Sequence, residues 1–437
     1  MVTWLLVVGC HEPERSAAVR APTDTDTDTA ATSTASAPAD PCETVLVPGA
    51  FGATSDALPD PDAPTFGAAP EPFQVRLGWP TEDPSRSAGF LWRTDTDTLA
   101  STVQYGVGDA LDQTAVGVSY RFGGAGDDPG PDRIHEVRLC SGLQPATTYS
   151  YRVGGDGHWS PTYQFTTPGA PGSFDTFRVA VLGDARGAYE TWGSLLAAID
   201  AEDPDLILFT GDMVDLGGVQ AQWDAWFDAA GDILARRPLL GAHGNHEFLA
   251  PHYFAQFMFP GNEQWYAVRY GPLELVVLND TLAALTDLQT EATFQQDVFG
   301  ATDAPWRVAM HHQAAYSACT RHGSNQLVRD AWAPVWDDAG VQLVLAGHNH
   351  IYERSVPIRD DAPAPDGAGA VYLVCGGAGA DLYDEVDDTA WWNAAAVSAQ
   401  HYAIGDFGPD VATFEVKDLA GTTIDRFSIL RGPDAQR

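Results

Sequence analysis

Five apolar runs in this chain each stop at residues able to bind a metal ion. Residues 177–182 run into Gly183-Asp184-Ala185-Arg186, and 206–210 into Gly211-Asp212-Met213-Val214-Asp215. Residues 239–242 run into His243-Gly244-Asn245-His246-Glu247, 306–310 into His311-His312, and 341–346 into Gly347-His348-Asn349-His350. A hydrolytic pair of metal ions needs hard oxygen and imidazole donors from several segments, with one carboxylate able to bridge. Asp184, Asp212, Asn245, His311, His348 and His350 supply such a set. Taken singly, an Asp after a strand is usually a cap or turn residue, and a lone His a hydrogen-bonded loop residue. Five such ends in one chain make coincidence the weaker reading.

The runs must be strands for these residues to meet. Short aliphatic and β-branched stretches stopped by glycine read as buried strands. Open α/β sheets place their sites beyond the carboxyl ends of such strands. Between the runs, residues 191–199, 221–236 and 324–339 predict helices. Residues 371–374, 412–416 and 423–430 predict further strands, the last two a hairpin about Ala420-Gly421. Alternation of this kind is that of an α/β domain, here over 175–432.

Upstream the pattern is different. Short alternating runs at 73–79, 89–94, 101–107, 133–140, 148–153 and 163–167, separated by turn residues, predict a β-sandwich over 73–168. Within it Leu143-Gln-Pro-Ala-Thr-Thr-Tyr149 has the spacing of a tyrosine corner, whose hydroxyl bonds back to the preceding backbone. The block resembles a fibronectin type III domain and carries no catalytic cluster, so its expected role is structural. Pro168-Gly-Ala-Pro-Gly172 is a linker.

A chain of 437 residues predicts two or three domains. Its 23 basic and 60 acidic residues give a formal charge of −37, which excludes nucleic acid and anionic membrane surfaces as partners. An anionic small substrate would be repelled as well, unless local cations reverse the field. None of the five cysteines forms a C-x-x-C pair; Cys42–Cys140 and Cys319–Cys375 are the expected disulfides. Residues 1–10 look like the apolar end of a secretory signal, and Val7-Val8-Gly9-Cys10 resembles a bacterial lipobox with Cys10 as the lipidated residue. Residues 11–72, with Thr23-Asp-Thr-Asp-Thr-Asp-Thr29, read as a disordered acidic, Thr- and Pro-rich tether. That layout predicts an extracytoplasmic protein, lipid-anchored in a bacterial cell envelope or secreted, touching membrane only through Cys10.

The order Gly-Asp184, Gly-Asp212, Gly-Asn245-His246-Glu247, Val308-x-x-His311 and Gly-His348-x-His350 resembles the calcineurin-like metallophosphoesterases. Ile134-His-Glu-Val137, Gly142 to Tyr151, Trp159-Ser160, Phe165-Thr-Thr-Pro168 and His350-Ile-Tyr-Glu-Arg354 resemble the purple acid phosphatase branch. The resemblance runs from about Phe73 to the C-terminus. It implies a β-sandwich followed by a four-layer αββα metallophosphoesterase domain. It also implies two divalent or trivalent metal ions, with Fe, Zn or Mn as candidates, and a phosphorylated small-molecule substrate. Asp212 would bridge the ions, Asp184 and His350 would belong to the first, and Asn245, His311 and His348 to the second. The spacing of Val308-x-x-His311 favours His311, with His312 the alternative ligand. His246 would give a proton to the leaving oxygen, or pair with the phosphate charge, while a metal-held hydroxide attacks phosphorus in line. Arg186, His312 and His322 are candidates for gripping phosphate, with Arg321 a weaker one.

Two departures from the family pattern fall at the first metal. Purple acid phosphatases carry a Tyr three residues after the bridging Asp, where this chain has Asp215. The wider superfamily carries Asp-x-His at the first motif, where this chain has Asp184-Ala185-Arg186. The first ion so lacks the fourth protein ligand of either scheme, and Asp215 is the candidate replacement. Without the phenolate the purple colour should be absent, and Mn, Mg, Ca and Fe(II) stay open. The expected activity is that of a phosphomonoesterase. The alternatives are a phosphodiesterase or nucleotidase at the same site, or a surface-binding lipoprotein with weakened catalysis.

Overall fold

The computed structural model describes residues 54–55, 65–122, 132–173, 175–281 and 288–432. Cys10, Cys42 and the Thr23–Thr29 repeat lie outside the described residues. No helix among them is long and apolar enough to cross a membrane.

Two sheets form the N-terminal sandwich. One joins Phe73–Gly78, Ala88–Asp95, Asp132–Leu139, Val118–Phe122 and Thr54–Ser55; the other joins Tyr163–Thr166, Thr148–Gly155, Thr102–Val107 and Gln113–Val116, with His158–Trp159 paired to Thr148–Gly155. Alternate residues meet between the sheets, among them Val75, Leu77, Phe90, Trp92, Val103, Val137, Tyr151, Val153 and Phe165. The tyrosine corner forms: the Gln144 N–H donates to the Tyr149 hydroxyl at 2.9 Å.

Described residues ahead of Phe73 also bond to this block. Gly67 N donates to Thr98 Oγ1 at 2.9 Å and Ala69 N to Asp95 Oδ2 at 2.6 Å. The side chains of the Thr94–Thr98 loop thus hold a stretch expected to belong to the tether. Thr54–Ser55, also inside that stretch, pairs with Tyr120 and Arg121.

The second part contains two sheets and two helix pairs. A six-stranded sheet runs Leu239–Gly241, Leu206–Phe209, Phe177–Leu182, His401–Phe407, Val411–Asp418, Thr423–Leu430. A seven-stranded sheet runs Tyr266–Tyr270, Leu273–Val277, Trp306–Gln313, Leu343–Gly347, Val371–Cys375, Tyr352–Ser355, Asn393–Val397. Strand alternation divides the side chains of the second sheet between two cores. Leu275, Val308, Met310, Leu343 and Leu345 meet the first sheet, whose helices Tyr189–Ala201 and Gln220–Ala230 add Trp192 and Trp226. Val276, Ala309 and Val344 face the helices Leu288–Ala301 and Gln326–Ala339 through Phe299, Trp332 and Trp336. The result is the αββα stack.

The sandwich packs on this second part. Leu77 N donates to Leu234 O at 3.0 Å, Trp79 N to Met258 O at 2.9 Å, and Arg93 pairs with Asp224 on the helix Gln220–Ala230.

Three sequence expectations change. The helix expected to reach residue 236 ends at Ala230, because Gly231 turns to φ 55°. The helix Leu288–Ala301 was not anticipated, because its buried face includes Glu291 and Gln295 and so lacks an apolar period. Glu291 accepts from Asn279 N at 2.9 Å and Gln295 Oε1 from Trp336 Nε1 at 2.6 Å. The third change concerns disulfides. Cys140 is disulfide-bonded, but Cys319 and Cys375 are both free and buried. Cys375 ends a central strand inside the main core, whereas Cys319 packs with Ile351 and Tyr383 in a separate cluster.

Candidate metal centre

All five anticipated strand ends open at one edge of the two sheets. Asp184, Asp212 and His348 each adopt the left-handed region there, with φ of 64°, 57° and 67°. Such a conformation costs a non-glycine residue roughly 1–2 kcal/mol, and sites are where such strain collects. Hydrogen bonds hold it in place. Asp184 N donates to Gly211 O at 2.9 Å, and His348 N to both Asp184 carboxylate oxygens at 3.0 Å.

Donor atoms of Asp184, Asp212 and His350 converge within 4.8 Å of one another, as do those of Asp212, His312 and His348. Asp212 is common to both groups. His350 Nε2 lies 3.6 Å from Asp184 Oδ1. His312 Nε2 lies 3.3 Å from Asp212 Oδ1 and 3.1 Å from Asn245 Oδ1. Ligand bonds of about 2.1 Å leave neighbouring ligand atoms roughly 3–3.5 Å apart, so these spacings suit donors around a shared ion.

The imidazoles are set for the same task. His312 Nδ1–H donates to the Thr210 carbonyl and His350 Nδ1–H to the Asp381 carbonyl, both at 2.7 Å. A carbonyl can only accept, so each ring presents Nε2 to the cluster, as metal-bound histidines do. Burial pulls His350 down to about 4 and, with help from His312 and His322, His348 to about 2, so both are neutral. Asp184 and Asp212 are 0% and 1% exposed. Burial pushes Asp184 well above the ordinary carboxylate range, helped by the Asp212 charge. Burial also disfavours charge on His312, yet Asp212 and Asp184 overcome this and raise it to about 10. This cluster calls for positive charge, and in donor type and spacing it fits metal ions.

His311 is not part of it. On the strand Trp306–Gln313 it shares the face of Ala309, and His312 that of Met310. Its Nδ1 lies 2.8 Å from Asp280 Oδ2 and its ring stacks on Trp336 at 5.5 Å. Of the two candidates it is thus His312, not the favoured His311, whose ring lies among the donor groups. The signal was available, because a strand with Val308 and Met310 facing the sheet interface puts residue 312 on that side.

Glu247 closes the Gly244-Asn245-His246-Glu247 motif. Its buried carboxylate accepts from Asp212 N at 3.0 Å, Gly244 N at 2.7 Å, Met213 N at 2.8 Å and Val214 N at 3.3 Å. It ties the Asp212 turn to the Asn245 loop. Burial, then the Asp212 charge, pushes it up to about 7. Gly244 permits the contact, because a Cβ there would collide with Asp212 N and Oδ1.

His246 is held by two bonds. Its N–H donates to Asp212 Oδ1 at 2.9 Å, and its Nδ1–H to the Asp215 carbonyl at 2.7 Å. Nε2 is left facing the cluster, 3.9 Å from Asp212 Oδ2. Arg186 reaches Asp215 Oδ1 at 3.3 Å and His350 Nε2 at 3.4 Å. Exposed His322 lies with its ring 4.3 Å from that of His348 and its Nε2 3.3 Å from the Tyr383 hydroxyl. Tyr383 stacks on His350 at 4.2 Å; no sequence motif marked it.

Residues 177–352 match the calcineurin-like phosphoesterase family, and residues 72–167 match the purple acid phosphatase N-terminal domain. The two matched stretches together make the chain similar to the purple acid phosphatases among the metallophosphoesterases. The family implies a dinuclear metal centre. "Purple acid phosphatase 22" of Arabidopsis thaliana is 27% identical over 336 residues, covering 71% of this chain and 72% of its own. "Probable inactive purple acid phosphatase 1" of the same plant is 25% identical, covering 60% of this chain and 52% of its own. A purple acid phosphatase from yellow lupin (Lupinus luteus) seeds shares the fold, with a TM-score of 0.74 at 22% identity over 84% of this chain and 75% of its own.

Proposed function

We propose that this metallophosphoesterase hydrolyses phosphoric monoesters. Asp184, Asp212 and His350 would hold one ion, and Asp212, Asn245, His312 and His348 the other. The observation that carries this reading is the convergence of two donor groups on one shared, buried carboxylate, Asp212. Two bound ions would polarise a water molecule and a phosphoryl oxygen and neutralise charge in the transition state.

The chain's own residues do the rest. The Asp215 carbonyl keeps the His246 proton on Nδ1, so a protonated His246 presents its second N–H at Nε2 to the leaving oxygen. Arg186, beside His350, and His322, beside His348, suit the outer phosphate oxygens. Asp215, expected as a replacement ligand, has a side chain 46% exposed and paired with Arg186, so orienting that guanidinium is the better reading of Asp215. The β-sandwich over 73–168, read as fibronectin type III-like, packs on the domain over 175–432 and supports it. An extracytoplasmic location with a lipid anchor at Cys10 completes the proposal.

The test is turnover of a chromogenic phosphate monoester and a diester by purified protein with added Mn, Zn or Fe. Monoester turnover that disappears in Asp212→Ala supports the reading. Diester turnover alone would replace it with a phosphodiesterase.

A further inference from the structure

The two donor groups are unlike in one respect: a guanidinium stands among the donors of the first. Arg186 Nη2 lies 3.4 Å from His350 Nε2 and its Nη1 3.3 Å from Asp215 Oδ1. Its Nε lies 3.7 Å from Asp212 Oδ2, buried and without a hydrogen-bond partner. His350 has its Nδ1–H committed to the Asp381 carbonyl, so Nε2 carries the lone pair that an ion would need. Asp212 Oδ1 is engaged by His246 N and neighbours His312, so Oδ2 is the oxygen left for the first group. Arg186 therefore points its N–H groups at the acceptors a first ion would use.

We propose that Arg186 competes with the first metal ion, so that the two positions load unequally. The position of Asp212, Asn245, His312 and His348 fills tightly. The position of Asp184, Asp212 and His350 fills only as the guanidinium moves away. Donor number points the same way. The tight position has four protein donors and the other three, and Asp215, which could have been its fourth, is held by Arg186 at 3.3 Å and lies 3.6 Å from His246 Nδ1.

Movement of the guanidinium needs no change of backbone. Arg186 N donates to Asp212 O at 3.3 Å and Ala185 N to the same oxygen at 3.0 Å, so the root of the side chain is fixed. The side chain is 24% exposed and can turn outward from that root. Turned outward it stays at the mouth, where an incoming phosphate would draw it further off and favour filling of the first position. Phosphate and the first ion would then bind cooperatively.

This inference rests on the two-ion reading, and its test separates the two. Chelator-stripped full-length protein is titrated with Mn(II) by calorimetry, as wild type, Arg186→Ala and Arg186→His. Wild type is expected to bind one ion at least about tenfold more tightly than a second, in line with the 10–100-fold effects of groups around ligands. Arg186→Ala should tighten the second ion by about tenfold. Arg186→His, which adds an imidazole, should tighten it further, with the tighter ion, at the four-donor position, unchanged in both. Two equal ions in wild type, or a second ion unaffected in both variants, would overturn the proposal and leave the two-ion reading intact. Absence of Mn(II) binding in all three proteins, each folded by circular dichroism, would overturn the two-ion reading itself.

Discussion

Replacing Glu247 by glutamine tests what holds the centre in shape. Each carboxylate oxygen accepts from two backbone N–H groups: Oε2 from Asp212 and Gly244, Oε1 from Met213 and Val214. A glutamine has one oxygen. Whichever way its amide is turned, two N–H groups keep an acceptor and two face an NH2. The site is 0% exposed, so water does not easily fill the gap. A buried N–H left without an acceptor costs roughly 1–3 kcal/mol, so two come to roughly 2–6 kcal/mol. In a domain of this size that lowers the melting temperature by on the order of 10 °C. The Asp212 and Asn245 loops should loosen together, and metal affinity should fall about 10–100-fold, as it does when groups that orient ligands are removed. Thermal denaturation and Mn(II) titration of Glu247→Gln beside wild type measure both effects. A variant melting within a degree or two of wild type, with metal affinity unchanged, would refute the reasoning.

The adjacent histidines should separate cleanly. His312→Ala should weaken metal binding by at least about 100-fold, whereas His311→Ala should keep the metal and lose roughly 2–4 kcal/mol of stability through its Trp336 packing and Asp280 bond; the opposite pattern in metal titration would restore His311 as ligand. The sandwich should be acid-sensitive through His135, which is buried against Trp92 between Thr94 and Ser101 and lowered from 6.5 to about 3 by burial. The unfolded chain takes the proton first, so this contribution is complete above pH 6.5 and is lost as pH falls toward 3, by roughly 2–3 kcal/mol at pH 4.5. Urea unfolding at pH 7 and 4.5 should show a smaller acid loss for His135→Gln, and an equal loss would contradict it. With a formal charge of −37, metal-stripped protein should bind phosphate negligibly, and micromolar phosphate binding by calorimetry would count against that.

The sequence was most legible where apolar runs stop at polar donors. Residues 177–182 and 423–430 were bounded as the structure has them, because a glycine or turn marks each end. Legibility failed where burial is polar. Glu291 and Gln295 fill the buried face of Leu288–Ala301, so no apolar period announced that helix. It failed also where one residue decides the face: His311 and His312 differ by one position and point to opposite cores. The roles of Tyr383 and Glu247 depend on contacts between distant segments. Glu247 accepts from four N–H groups, three of them from residues 212–214, and Tyr383 reaches His350 from a loop with no motif of its own.

The most direct measurement is phosphate monoester turnover by one preparation, native, stripped with chelator, and reloaded with metal, beside Asp212→Ala treated the same way. Turnover should vanish on stripping, return on reloading in proportion to bound metal, and stay absent in Asp212→Ala at every metal concentration. Turnover that survives stripping, or that Asp212→Ala retains, would contradict a metal-dependent centre built on this shared carboxylate.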